Sequence, residues 1–211
     1  NSLKNPEEGK IRIVSVAALS IEVLPILIEK FRGENSSAQF IYQTEHFASM
    51  MKILFDYDKE LGFALNPPKM DGINEVKIGE GELVCIYGNG EFDHMPARLK
   101  LEDLIDHDYV SIEDSGPLSE LLDLRLQEKG ISYQPSIITQ TYFVARNMVA
   151  LGSGVAIVDD VTAKSNRPEN VNYKGFNPPI KYAVKALHLE DRVLSAATQK
   201  FLKFIKNNFK S

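Results

Sequence analysis

The sequence has no tryptophan, and its 211 residues include one cysteine and four histidines. One thiol cannot close an internal disulfide, which favours a reducing compartment. Cys85 lies in the apolar run Leu83-Val84-Cys85-Ile86-Tyr87, where a thiol acts as a small hydrophobe. His46, His94, His107 and His188 are scattered, without metal-ligand spacing. Gly88-Asn89-Gly90 and Gly152-Ser153-Gly154 lack the third glycine of a dinucleotide fingerprint. No Ser or Cys sits in a nucleophile-elbow sequence. No catalytic constellation, metal site or cofactor is therefore expected. No apolar run approaches the ~20 residues of a membrane helix. Basic tracts are missing too: 24 Lys and Arg against 29 Asp and Glu leave a net charge of −5, the reverse of a nucleic-acid footprint.

Apolar residues make up 44% of the chain, enough for a sizeable core, and the length suits one large or two small domains. The opening Asn1–Gly9 is polar, cannot be a secretory signal, and reads as a linker remnant. Lys10 to Phe31 then sets the pattern. Ile11, Ile13, Val14 and Val16 signal a buried strand, Ala17-Ala18-Leu19-Ser20 a loop, and Leu24, Leu27, Ile28 and Phe31 an amphipathic helix. Pro25 is tolerated only in a first turn, so the helix starts near Glu22 or bends there. The unpaired N–H groups of such a helix start, with its dipole, suit a carboxylate.

A strand at 39–43, a helix from Phe47 to near Asp56 and a strand at 61–65 continue the rhythm of a parallel α/β sheet. Val76–Gly79 and Glu82–Tyr87 read as two short strands. From about residue 88 the rhythm repeats: a short helix at 101–105, strand 109–112, helix 118–129 with Pro117 before it and Gly130 after, strand 135–139, helix 142–151 and strand 154–158. Val171–Tyr173 reads as an edge strand, Ile180–Leu189 as a returning strand, and the tail from Val193 to Phe209 as an amphipathic helix with a lysine face. The expected organisation is α/β with two Rossmann-like lobes: lobe I from 10–87 and 181–211, lobe II from 88–180, joined by a two-crossing hinge.

Ligands of open α/β sheets sit beyond the carboxyl ends of the strands. Those ends carry Ala18, Leu19 and Ser20; Asn66; Asp114, Ser115 and Gly116; Thr139, Gln140 and Thr141; and Asp159. Each has a structural reading beside the ligand one. Ser20 can cap a helix or donate to a carboxylate, and Gly116 can serve a turn or allow close approach. Thr139 to Thr141 offer more hydrogen-bonding groups than a cap requires. Asp159 or Asp160 can bind an amino group or cap a short helix through Ala163. Glu113 and Asp114 can serve a cationic ligand end or an ordinary turn. Asn66, before Pro67, is expected to be extended and mainly structural.

The order Gly9-Lys10-Ile11-Arg12-Ile13, Leu24-Pro25-Ile26-Leu27 with Phe31, Leu61-Gly62-Phe63-Ala64 and Met148 to Val158 resembles the effector-binding domain of LysR-type transcriptional regulators. The likeness runs over about residues 9–209, and order and spacing carry it rather than any single motif. Ala17–Ser20 and Asp159–Ala163 are most similar to the lysine- and opine-responsive branch. The segment 56–60 lacks the usual Gly-x-x-Asp, and the usual "HPLA" loop reads Asp93-His94-Met95-Pro96-Ala97-Arg98-Leu99. The resemblance implies a type 2 periplasmic-binding-protein-like fold with a cleft between the lobes for a small, amino-acid-like carboxylate. It also implies a cytoplasmic homodimer or tetramer, and DNA contact only through an N-terminal winged helix-turn-helix absent from this chain. The alternatives are an extracytoplasmic solute receptor and an enzyme on the same two-lobe fold.

Overall fold

The computed structural model describes residues 9–210, so the expected linker remnant lies outside them apart from Gly9. The chain divides into two compact units. The first runs through Gly79 and resumes at Ala183; the second is Glu80–Tyr182. Both crossings fall inside long strands, Ile73–Gly88 (β4) and Lys181–Leu189 (β10).

In the first unit, Lys10–Ser15 (β1) is paired in parallel with Gln39–Thr44 (β2) on one side and Leu61–Leu65 (β3) on the other. β10 joins the far side of β3 antiparallel, with Val184 opposite Leu65. Ile11, Ile13 and Val14 are fully buried, as the β-branched run requires. What reads as a loop after β1 is a one-turn helix, Ala17–Ser20 (α1). The next helix, Val23–Glu34 (α2), has Glu22 as N-cap and Pro25 in its first turn, where the missing N–H costs nothing. It buries Leu24, Leu27, Ile28 and Phe31. Phe47–Phe55 (α3) places Met50, Met51 and Leu54 against Val14, Ala64 and Leu187. Ala196–Asn208 (α7) seats Phe201 edge-on to Phe31 and Phe40, with ring centroids 5.2 and 4.9 Å away. The Glu60 carboxylate accepts from the Ser195 N–H at 2.8 Å and the Thr198 hydroxyl at 2.7 Å, fixing the start of α7.

In the second unit, Ala156–Asp159 (β8) and Val171–Phe176 (β9) flank β4, both antiparallel to it, and Arg98–Leu99 (β5) lies beyond β9. Tyr109–Ile112 (β6) runs parallel to Pro135–Thr139 (β7), and Tyr109 bridges in parallel to Val155 at the head of β8. Pro117–Lys129 (α4) ends on left-handed Gly130, as expected. Tyr142–Ala150 (α5) packs Ala145 and Val149 onto Val110, Ile112 and Val158. A short helix, Asp160–Lys164 (α6), follows β8 directly.

Three readings need correction. Residues 76–87 form one strand, not two, because Gly79 and Gly81 mark close approach rather than a turn. A Cβ on Gly79 would lie 2.4 Å from the Phe209 ring, and one on Gly81 2.4 Å from Tyr182. Val171–Phe176 is an inner strand, covered by the two-residue β5 that is too short to leave a period. The strand expected at 154–158 is β8 and begins at Ala156 because Gly154, at φ +109°, is pressed against the Asp108 carbonyl.

Candidate functional site

In the first unit, the parallel pairing of β1 with β3 sets Ala18, Leu19 and Ser20 at the same sheet end as Asn66. Ser20 is buried and caps nothing: its hydroxyl faces the Ser15 carbonyl at 3.5 Å, while its own carbonyl accepts from the Tyr42 hydroxyl at 2.6 Å. Asn66 departs from its expected extended conformation, standing at φ +51°. The restriction before proline is statistical, and asparagine tolerates the left-handed region better than most residues. Its N–H is bonded to the Ala183 carbonyl at 2.7 Å, whereas its side-chain amide has no partner among the described residues.

In the second unit, the parallel β6, β7 and β8 bring three groups of expected residues to one sheet end. Asp114 is left-handed at φ +51°, and Gly116, the N-cap of α4, sits at φ 94° and ψ −149°, a conformation open essentially to glycine alone. Ser115 donates to the Tyr142 hydroxyl at 3.1 Å. Thr141 is the N-cap of α5 without a side-chain cap bond, and Gly116 likewise supplies none to α4. The first N–H groups of both helices therefore receive no side-chain cap. Thr139 accepts the Thr141 N–H through its hydroxyl at 3.4 Å, and Gln140 is exposed.

Of the two readings of Asp159, capping describes the geometry. It is fully buried, and its oxygens accept the Thr162 N–H and hydroxyl, each at 2.7 Å. Burial pushes its carboxyl up to about 6. Asp160 is likewise committed, accepting from Tyr182 at 2.6 Å, Lys164 at 2.9 Å and the Glu82 N–H at 3.2 Å. Arg146, buried on α5, donates to the Thr162 carbonyl at 3.0 Å and to that of Ser165, anchoring α6.

Two tyrosines went unread in the sequence. Tyr42 holds the end of α1, and Tyr142 completes the hydroxyl pair with Ser115, its phenol pushed up by burial. Tyr142 was legible only as the first residue of a helix, and Tyr42 only as one of a strand. Among the described residues no three His, Cys, Asp or Glu are grouped to hold a metal ion, and no helix is long and apolar enough to cross a membrane.

Residues 4–210 match the family described as the LysR substrate binding domain. The chain is 35% identical over 206 residues to the HTH-type transcriptional regulator DgcR of Pseudoalteromonas sp., covering 98% of this chain and 71% of that protein. It is 22% identical to the HTH-type transcriptional regulator AdmX of Serratia plymuthica, covering 97% of this chain and 64% of that one. Among solved structures, the regulatory domain of Synechocystis PCC6803 CcmR in complex with 2-PG superposes with a TM-score of 0.85 at 15% identity, covering 95% of this chain and 97% of that one. The effector-binding domain of QuiR in complex with shikimate gives 0.82 at 18%, covering 95% and 96%. These likenesses show the fold expected from the sequence, α/β and type 2 periplasmic-binding-protein-like. The solute-receptor alternative gives way to them: the chain belongs to the LysR substrate-binding domain family, the small-molecule-sensing part of LysR-type transcriptional regulators.

Proposed function

We propose that this domain senses a small, amino-acid-like carboxylate, with Ala18, Leu19, Ser20 and Asn66 as its candidate contacts in the first unit and Asp114, Ser115, Gly116, Thr139, Gln140 and Thr141 in the second. Asp159 acts through Thr162, holding α6 within the second unit. The observation that carries this reading is the pair of helix starts at 116 and 141, with no side-chain caps, beside the Ser115–Tyr142 hydroxyls. Free N–H groups with a positive dipole end suit a carboxylate, and neighbouring hydroxyls complete its hydrogen bonds. The unengaged Asn66 amide can both donate and accept, which suits an amino-acid head group.

The domain works as a sensor and not as a catalyst. An effector that binds one arrangement of the two units better than another shifts their equilibrium by its differential affinity. In the full-length regulator, a cytoplasmic homodimer or tetramer, that shift reaches DNA through an N-terminal winged helix-turn-helix. The names of the two related regulators and the match to the sensing family support this reading.

Thermal unfolding against a panel of amino acids, opines, dicarboxylates and aromatic acids tests it. A true effector at ~100 times its Kd adds roughly 2.7 kcal/mol, or about 5–10 °C for a chain of this size. The shift is expected with an amino acid or opine and lost in Thr141→Ala. A shift with aromatic acids alone would overturn the amino-acid class, and a shift unaltered by Thr141→Ala would overturn the site.

A further inference from the structure

The chain passes between its two units at Gly79–Glu80, inside β4, and at Tyr182–Ala183, inside β10. Within the second unit, one carboxylate fastens both strands. Asp160, the first residue of α6, is 5% exposed. It accepts from the Glu82 N–H of β4 at 3.2 Å and from the Tyr182 hydroxyl of β10 at 2.6 Å. Lys164 supplies a third donor at 2.9 Å and the opposite charge. A buried carboxylate needs several such donors to be stable, and here they come from three elements.

The surroundings are shaped to this arrangement. A Cβ on Gly81 would lie 2.4 Å from the Tyr182 hydroxyl and 2.5 Å from the Asp160 Oδ1. The bare backbone at Gly81 is what lets the phenol reach the carboxylate. Burial, followed by the Asp159 and Asp160 carboxylates, pushes the Tyr182 phenol up, so it remains a donor. The side chain of Glu82 is held separately. Arg98 donates to its two oxygens at 2.8 and 2.9 Å and to the Phe176 carbonyl at 2.8 Å, tying β4 to β5 and β9.

The next residue of β10 serves the first unit. The Ala183 carbonyl accepts the Asn66 N–H at 2.7 Å, and Asn66 stands in the left-handed region at φ +51°. Adjacent residues of β10 therefore carry two bonds, one to α6 and one to Asn66. We propose that the Tyr182–Asp160 bond is a conformational latch. It sets the path of β10 where the chain changes units, and through Ala183 it keeps Asn66 in its left-handed conformation. Asp160 and Tyr182 act as positioning residues, through the backbone rather than on a ligand. The consequence for sensing, that the latch tunes affinity at Asn66, rests on the effector reading above; the latch itself does not.

Residue-resolved amide hydrogen exchange on the 211-residue chain tests the latch without any ligand. Tyr182→Phe keeps the ring and removes the hydroxyl. In this variant the Asn66 and Glu82 amides are expected to exchange about tenfold faster, the effect of losing one hydrogen bond to a charged group. The amides of Val14 in β1 and Val158 in β8 are expected to keep their parent rates. Asp160→Asn, which retains one acceptor oxygen, should give the same pattern at smaller amplitude. An unchanged Asn66 amide in Tyr182→Phe would overturn the latch. So would an equal rise at Val14 and Val158, because that is a loss of global stability and not a local release. The melting panel that tests the effector reading is independent of this result, so each can fail without the other.

Discussion

Asp159 ends β8 with both carboxylate oxygens turned onto Thr162, so its chemistry is internal. The folded protein holds its proton up to about 6, against an ordinary value of 3.8. Because the folded state binds that proton more tightly than the unfolded chain, this group's contribution to stability falls as pH rises from about 4 to about 6, then stays level. Asp159→Asn keeps an acceptor for the Thr162 N–H and removes the titration. Denaturation midpoints at successive pH values should therefore show the variant gaining on the parent across that window and no further above it. A constant difference would mean that Asp159 is ionised throughout. Residue identity gave two readings of this aspartate, and only burial decides between them. Asn66 shows the reverse case. A sequence rule about the residue before proline suggested an extended strand end, while the surrounding fold holds it left-handed with its amide unengaged.

Elements with a strong period were legible from the sequence almost to the residue. The apolar runs became β1 and β3, Pro25 fell in the first turn of α2, and Gly130 closed α4. Where glycine carries two meanings, the period was broken in the wrong place. Gly79 and Gly81 looked like a turn, yet β4 runs through both for 16 residues because a ring packs against each. Gly81→Ala would set a Cβ 2.5 Å from the Asp160 Oδ1 and 2.4 Å from the Tyr182 hydroxyl, disrupting their 2.6 Å hydrogen bond. Overpacking of this kind costs about 1–3 kcal/mol, measurable as a lower urea midpoint with an unchanged slope. An unchanged midpoint would show that Tyr182 moves aside freely. The short elements α1 and β5 were illegible because four and two residues are too few to establish a period.

At the scale of the whole molecule, the α/β plan was readable because strand and helix repeat with short connections. Its family was readable because several weak motifs fall in the right order across the chain. The candidate site was readable only as strand ends. That logic selects Ser20, Asn66, Ser115 and Thr141 but has no means of finding Tyr42 or Tyr142, whose hydroxyls arrive from other elements. The central claim is that the effector is held by the strand-end residues, Asn66 and Ser115 among them. The direct measurement is calorimetric titration of an effector from the melting panel into the parent chain, Asn66→Ala and Ser115→Ala, one substitution in each unit. Each removed hydrogen bond to a charged ligand is worth about 1.5–3 kcal/mol, so both variants should bind roughly tenfold or more weakly. If binding is untouched in either variant, that residue does not hold the effector and the account is contradicted.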